Sequence, residues 1–210
     1  MSIPVESSPP PGWGPRGIDV LLNAFPSGQL SEIVGPWSSG GGSLLLALMA
    51  RITASGNEVA LVDGADAFDP ASAVAAGADL SRLLWMKCGG RLRAALGAAD
   101  LLARCPGFAL VALDLGDLSL TRREFISPAH CLRLRIAAEQ GDTALVLRVP
   151  HRLAGSAAAF AVSVRRREPC WIGRPYPTRL GGLVSEAFVL RSRALRPKGG
   201  EQRWLIPWQL

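Results

Sequence analysis

The chain is poor in residues that build metal centres and covalent frameworks. Four cysteines occur in 210 residues (Cys88, Cys105, Cys131 and Cys170), none in a C-x-x-C pair, and the two histidines, His130 and His151, stand apart from them. That spacing suits neither a zinc site nor a disulfide framework, and reads as reduced, buried thiols in a cytoplasmic protein. No apolar run approaches the ~20 residues of a membrane-spanning helix; the longest covers 44–50. The opening MSIPVESSPPPGWGP lacks a basic stretch followed by an apolar one, which argues against export. Hydrophobic residues make up 49% and charged residues 19%, a globular rather than disordered balance, and the length suits one α/β domain with a sizeable core.

What the chain does have is a skewed charge. Residues 1–120 carry 7 Lys+Arg against 11 Asp+Glu, whereas residues 121–210 carry 16 against 6, and nearly all of that positive charge is arginine. Guanidinium groups donate bidentately to phosphates and carboxylates, so the second half suits an anionic partner; a solvated basic surface explains it equally.

Periodicity predicts short helices over 17–24, 44–53, 70–76 and 91–104, and a longer one over 122–139 interrupted at Pro128. Buried strands are expected over 30–34, 58–62, 83–86, 108–113, 143–149 and 159–165. Strands alternating with helices imply an α/β fold with a mostly parallel twisted sheet covered on both faces. Segments 186–193 and 203–206 alternate in places and read as edge strands or a hairpin, with a turn over 196–200. The organisation expected is a flexible arm over 1–16, a core over 17–168, and a basic C-terminal extension over 169–210 that ends in an aromatic tail.

Ligands of open α/β sheets bind at the carboxyl ends of strands. The first such end here carries Gly35-Pro-Trp-Ser38-Ser39-Gly40-Gly41-Gly42-Ser43 and runs into a helix, the outline of a phosphate-binding loop. Yet glycine stands at both chemical positions: Gly41 where the phosphate-neutralising lysine belongs, Gly42 where the Mg²⁺-binding hydroxyl belongs. A one-residue shift brings Ser43 to the hydroxyl position but restores no cation. Backbone N–H groups and the helix N-terminus retain some capacity for an anion. Trp37 sits inside this loop, either filling the space of a nucleotide or as a plain aromatic, while Trp85 and Trp171 read as core residues.

Residues 27–43 (SGQLSEIVGPWSSGGGS) resemble the segment of bacterial RecA recombinases that leads into and forms the phosphate loop. Residues 61–70 (LVDGADAFDP), 76–84 (AGADLSRLL) and 109–114 (ALVALD) are similar to the family's second strand and acidic turn, its next connection and its Walker B strand. Residues 143–152 and 158–166 resemble the strands that flank the family's second DNA-binding loop. The similarity covers 17–168 in order and implies a RecA-like fold.

The departures from that family carry the functional expectation. Ala65 stands where the family places the glutamate that activates water, and alanine cannot polarise it. Val149-Pro150-His151 occupies the region of the family's γ-phosphate-sensing glutamine. Asp114 remains at the Walker B position, as a structural group or a metal ligand. The DNA-contacting segments are shortened, and the family's C-terminal domain is absent. The resemblance thus implies a vestigial phosphate loop (Gly35, Ser38, Ser39, Gly40, Gly41, Gly42, Ser43), a vestigial Walker B Asp114, no catalytic residue, no metal, and no cofactor beyond residual ATP/Mg binding.

A RecA-shaped core reduced in this way resembles the ImuA branch. That branch implies a non-hydrolysing adaptor in the DNA-damage response, acting in error-prone translesion synthesis with RecA, a Y-family-like polymerase and an error-prone C-family polymerase. The RecA-like SulA relatives, inhibitors of cell division, share this core and form the alternative. A nucleotide-dependent enzyme would need a cation from elsewhere, for example Arg91 or a neighbouring subunit. A direct binder of single-stranded DNA would draw phosphate contacts from Arg152, Arg165, Arg166, Arg167, Arg174 and Arg179. Arg203, Trp204 and Trp208 in the last segment form either a docking peptide for a partner or a final strand of the chain's own sheet.

Overall fold

Apolar runs without helical period become strands of one sheet. The computed structural model describes residues 15–116, 118, 126–173, 179–193 and 203–209. Its strands are β1 (Leu30–Val34), β2 (Glu58–Asp63), β3 (Leu83–Lys87), β4 (Phe108–Asp114), β5 (Ala144–Val149), β6 (Phe160–Ile172), β7 (Arg179–Ser192) and β8 (Arg203–Gln209). They lie in the order β3-β2-β4-β5-β1-β6-β7-β8. The first six are mutually parallel, and β7 and β8 add antiparallel at one end. This is the α/β, mostly parallel sheet expected from the alternation of strands and helices.

Helices cover both faces: α1 (Pro15–Leu22) and α2 (Gly41–Ala54) on one, α4 (Leu92–Arg104) and α5 (Pro128–Gly141) on the other, with α3 (Pro70–Ala75) after β2. Strand alternation divides the core between them. Leu145, Leu147 and Val149 of β5 pack with Leu92, Leu96 and Leu134, whereas Ala144 and Val146 pack with Leu44, Leu48 and Met49 of α2. The same alternation puts Arg148, between Leu147 and Val149, on the α2 face.

Several boundaries differ from expectation. The helix predicted over 122–139 begins only at Pro128, with Ser127 as its N-cap and His130 closing a reciprocal capping box. Proline thus starts this helix rather than interrupting it, because its missing N–H is not needed in a first turn; residues 121–125 lie outside the described residues. The boundary drawn at 168 falls inside β6, which runs from Phe160 to Ile172. Segment 203–209 is a strand paired with Gly182–Phe188 of β7. The flexible arm expected over 1–16 ends two residues early, because Pro15 and Arg16 already belong to α1; residues 1–14, the turn over 196–200 and Arg174 lie outside the described residues. No described helix is long and apolar enough to cross a membrane.

Candidate functional site

The loop between β1 and α2 closes at the carboxyl ends of the central strands. Gly35 N–H donates to Val149 O at 3.0 Å, which ties the loop to β5. A Cβ on Gly35 would lie 2.4 Å from Val164 O, so only glycine lets the chain pass here. Ser38 is exposed with φ +57°, and Ser39 is buried, its Oγ accepting from Gly41 N–H at 3.3 Å. Gly40 caps α2 with φ +94° and no side-chain hydrogen bond. Gly42 and Ser43 follow, half-buried in the first turn. The loop borders an open cleft of about 320 Å³, bounded opposite by Phe68, Asp69 and Ser72. Trp37 is 78% exposed at its rim, so it fills no internal space.

A cation does reach this loop, from a strand rather than from the loop itself. Arg148, on the α2 face of β5, is the register partner of Asp114 on β4. Its Nη1 donates to both carboxylate oxygens, at 2.9 Å and 2.7 Å, and both side chains are largely buried. Gly116 N–H adds a hydrogen bond to Asp114 Oδ1 at 3.0 Å. The guanidinium lies against the loop glycines: a Cβ on Gly42 would stand 3.6 Å from Nη1, and one on Gly41 3.8 Å from Nε. A Cβ on Gly116 would come within 2.5 Å of the guanidinium carbon. Gly116 thus makes room for the arginine, which lies within ordinary contact of Gly41 and Gly42. Arg91, the cation considered from sequence, instead turns back on Cys88 O at 3.1 Å.

The acidic turn after β2 is used up locally. Asp63 is buried and accepts from Ala67 N–H, Phe68 N–H and Trp85 Nε1. Asp66 accepts from the N–H groups of Cys88 and Gly89. Asp69 caps α3; hydrogen bonds from the Ser72 hydroxyl, then from the Ser72 and Ala71 N–H groups, hold its carboxyl below the usual range. Ala65, between them, brings no polar group.

The C-terminal strands clamp the loop from the other side. Trp208 Nε1 on β8 donates to Ser185 Oγ on β7 at 3.0 Å, and Ser185 Oγ donates to Ser39 O at 2.7 Å. A Cβ on Gly40 would lie 2.2 Å from that serine oxygen. Trp208 and Trp204 are half-buried against the α2-side core, so both pack on the chain's own sheet. Arg203 opens β8.

The remaining basic candidates lie apart from the loop. Arg152 follows β5, donates to Gly155 O at 3.2 Å, and stands 3.9 Å from Glu32. Glu32 is fully buried in β1, and its Oε1 accepts from the N–H groups of Leu153 and Ala154 at 2.9 and 2.7 Å, which fixes the short connection between β5 and β6. Sequence reading passed over both Glu32 and Arg148; the available signal was a charged residue inside an otherwise apolar strand. Arg165, Arg166 and Arg167 are exposed on β6, Arg165 4.7 Å from the centre of the Phe188 ring and Arg167 3.6 Å from Glu186. Arg179 is exposed at the start of β7. Trp171, expected in the core, is 55% exposed, because β6 there has run beyond the helices that cover the sheet.

Comparison with known proteins agrees with this architecture. Residues 13–126 match the family model for the RecA N-terminal domain. The chain is 28% identical over 190 residues to the DNA repair protein recA homolog 1, chloroplastic, of Arabidopsis thaliana, covering 87% of this chain and 42% of that protein. It is 34% identical over 93 residues to protein RecA of Borrelia hermsii (44% and 26%), and 34% over 103 residues to protein RecA of Rickettsia massiliae (48% and 30%). The chain spans less than half the length of these curated relatives. With more than half of its residues matched, the chain belongs to the RecA N-terminal domain family.

Proposed function

We propose that this chain is a non-hydrolysing RecA-like adaptor of the DNA-damage response, which supports error-prone translesion synthesis by holding a RecA-type recombinase and polymerase subunits together. The observation that carries this reading is the Arg148–Asp114 pair. A Mg²⁺-nucleotide needs a free cation for its phosphates and a free aspartate for the metal shell. Here the two groups neutralise each other, and the guanidinium lies over the loop glycines where phosphates would approach. The residues present therefore do not fit a Mg²⁺-nucleotide: lysine and hydroxyl are replaced by Gly41 and Gly42, and the water-activating position is Ala65. What persists is the sheet and its surfaces, which suits a scaffold. The DNA-repair wording of the plant relative supports the setting.

Arg148 also favours a second reading, in which it replaces the missing lysine and the chain binds nucleotide without turning it over fast. Calorimetry with ATP and Mg²⁺, combined with phosphate-release assays, separates the two. The adaptor reading expects neither heat of binding in the micromolar range nor turnover, alongside co-purification with RecA or a translesion polymerase subunit. Turnover that disappears on altering Gly41 or Asp114 overturns it.

A further inference from the structure

One half of β6 is open where a sheet is normally closed. β1 pairs with β6 only over Phe160–Ser163, and β7 occupies the other side. From Arg165 to Ile172, eight consecutive residues are exposed, and no strand among the described residues pairs with their outer edge. Trp171 lies directly opposite Leu180 on β7, so the two share a face; they are 55% and 40% exposed, a contiguous apolar pair in solvent. Arg165, Arg166 and Arg167 precede Trp171 on β6 and Arg179 precedes Leu180 on β7; the acidic residues here are Glu168 and, across on β7, Glu186, 3.6 Å from Arg167.

From this placement we infer that the β6–β7 arm is a docking edge for an extended acidic segment of another protein, added as a strand along 165–172 with a bulky apolar residue seated against Trp171 and Leu180. Pro169 in the middle of this edge has no N–H, and the ladder with β7 shifts register at Arg166/Glu168 and Cys170/Trp171. An extended peptide would therefore pair with the backbone N–H and C=O groups on either side of Pro169, while side chains give specificity. Acidic side chains on that peptide would meet the three arginines, which steers encounter and fixes register. A second copy of this chain fits poorly, because it would bring the same arginines against these. Single-stranded nucleic acid fits less well too: its backbone presents acceptors alone, and the exposed apolar pair holds one aromatic and one aliphatic rather than a row of stacking rings. The inference rests on the adaptor reading and names the surface such an adaptor would use.

The test is fluorescence polarisation on the whole chain with a labelled short peptide alternating glutamate with valine and leucine. Three comparisons accompany it: the lysine counterpart, the acidic peptide N-methylated at alternate amides, and labelled oligothymidylate. The acidic peptide is expected to bind, with affinity about tenfold weaker in the Arg165→Glu/Arg166→Glu/Arg167→Glu variant and in Trp171→Ser, and lost on N-methylation. Both variants alter exposed residues, and an unchanged melting temperature confirms that each is folded. Absence of peptide binding, indifference to both substitutions, or binding of oligothymidylate in the peptide's place overturns the proposal. These outcomes are independent of nucleotide turnover, whose detection would sink the adaptor reading and leave the peptide titration standing.

Discussion

Arg148 Nη1 lies 2.7 Å from Asp114 Oδ2, and the pair sits between the loop glycines and Gly116. Two adjacent parallel strands deliver these side chains to the same face at their carboxyl ends. A positive charge thus stands beside the loop, and its partner is the aspartate at the end of β4.

Removing one partner leaves the other charge largely buried. Arg148→Met or Asp114→Leu alone should cost about 2–3 kcal/mol, below the ~3–5 of a wholly buried pair because some solvent reaches both groups. The double variant should lose less than the two single losses together, since each group's contribution depends on the other. Urea unfolding of the four proteins measures this; simple additivity would mean that the two groups do not act as a pair.

Ser185 holds the loop carbonyl of Ser39 and receives Trp208. Ser185→Ala takes a hydrogen bond from the buried Ser39 carbonyl and from the half-buried Trp208 N–H, so a loss of about 1–3 kcal/mol is expected. Hydrogen exchange in 39–43 should rise in the same variant. Unchanged exchange there would show that the C-terminal strands do not anchor the loop.

Helices α4 and α5 touch where Gly141 meets the Ala103 carbonyl: a Cβ on Gly141 would lie 2.0 Å from that oxygen. Gly141→Ala must therefore separate the helices despite alanine's higher helix propensity, at a cost of about 1–3 kcal/mol. A lowered thermal midpoint is the expected result, and a raised one would contradict the packing.

Asp100 binds Arg133 at 2.8 Å and Arg104 at 3.0 Å. The Arg133 hydrogen bond, joined by Arg104 and outweighing burial, holds its carboxyl below the ordinary 3.8. The folded state binds this proton less readily than the unfolded chain does, so the contribution is fully present above about pH 4 and is lost as pH falls through the lowered folded value. Asp100→Asn should be less stable at pH 7 and flatten the stability profile in that acid window, read by urea midpoints from pH 7 downward.

Burial, and secondarily the Glu32 carboxylate, push the Cys131 thiol up to about 11, while Cys170 is exposed on β6. The thiolate is the reactive form. Ellman's reagent at pH 8 should modify Cys170 rapidly in the native protein and Cys131 only on unfolding. Fast loss of both would mean that α5 opens readily from β1.

Strands β1 to β5 were legible because each is an apolar run with glycine, proline or aspartate close by, and such punctuation is local; β6 beyond Arg165 and β7 before Glu186 were not, because arginine, proline and glycine there break the apolar pattern. The glycine loop was legible too, together with its glycines at 41 and 42. Helix α5 was misplaced at its start because Pro128 follows Ser127, a cap that reads as an interruption unless the serine is weighed first.

The sequence by itself determined the alternation of strands and helices, the loop at the end of β1, and the glycines at 41 and 42 within it, all of which depend on neighbours within a few residues. Tertiary structure alone decided which cation stands beside the loop and what holds the loop. Arg148 and Asp114 are 34 residues apart, and Ser185 and Ser39 are 146 apart. These groups meet only through strand register and sheet order, which no local pattern encodes.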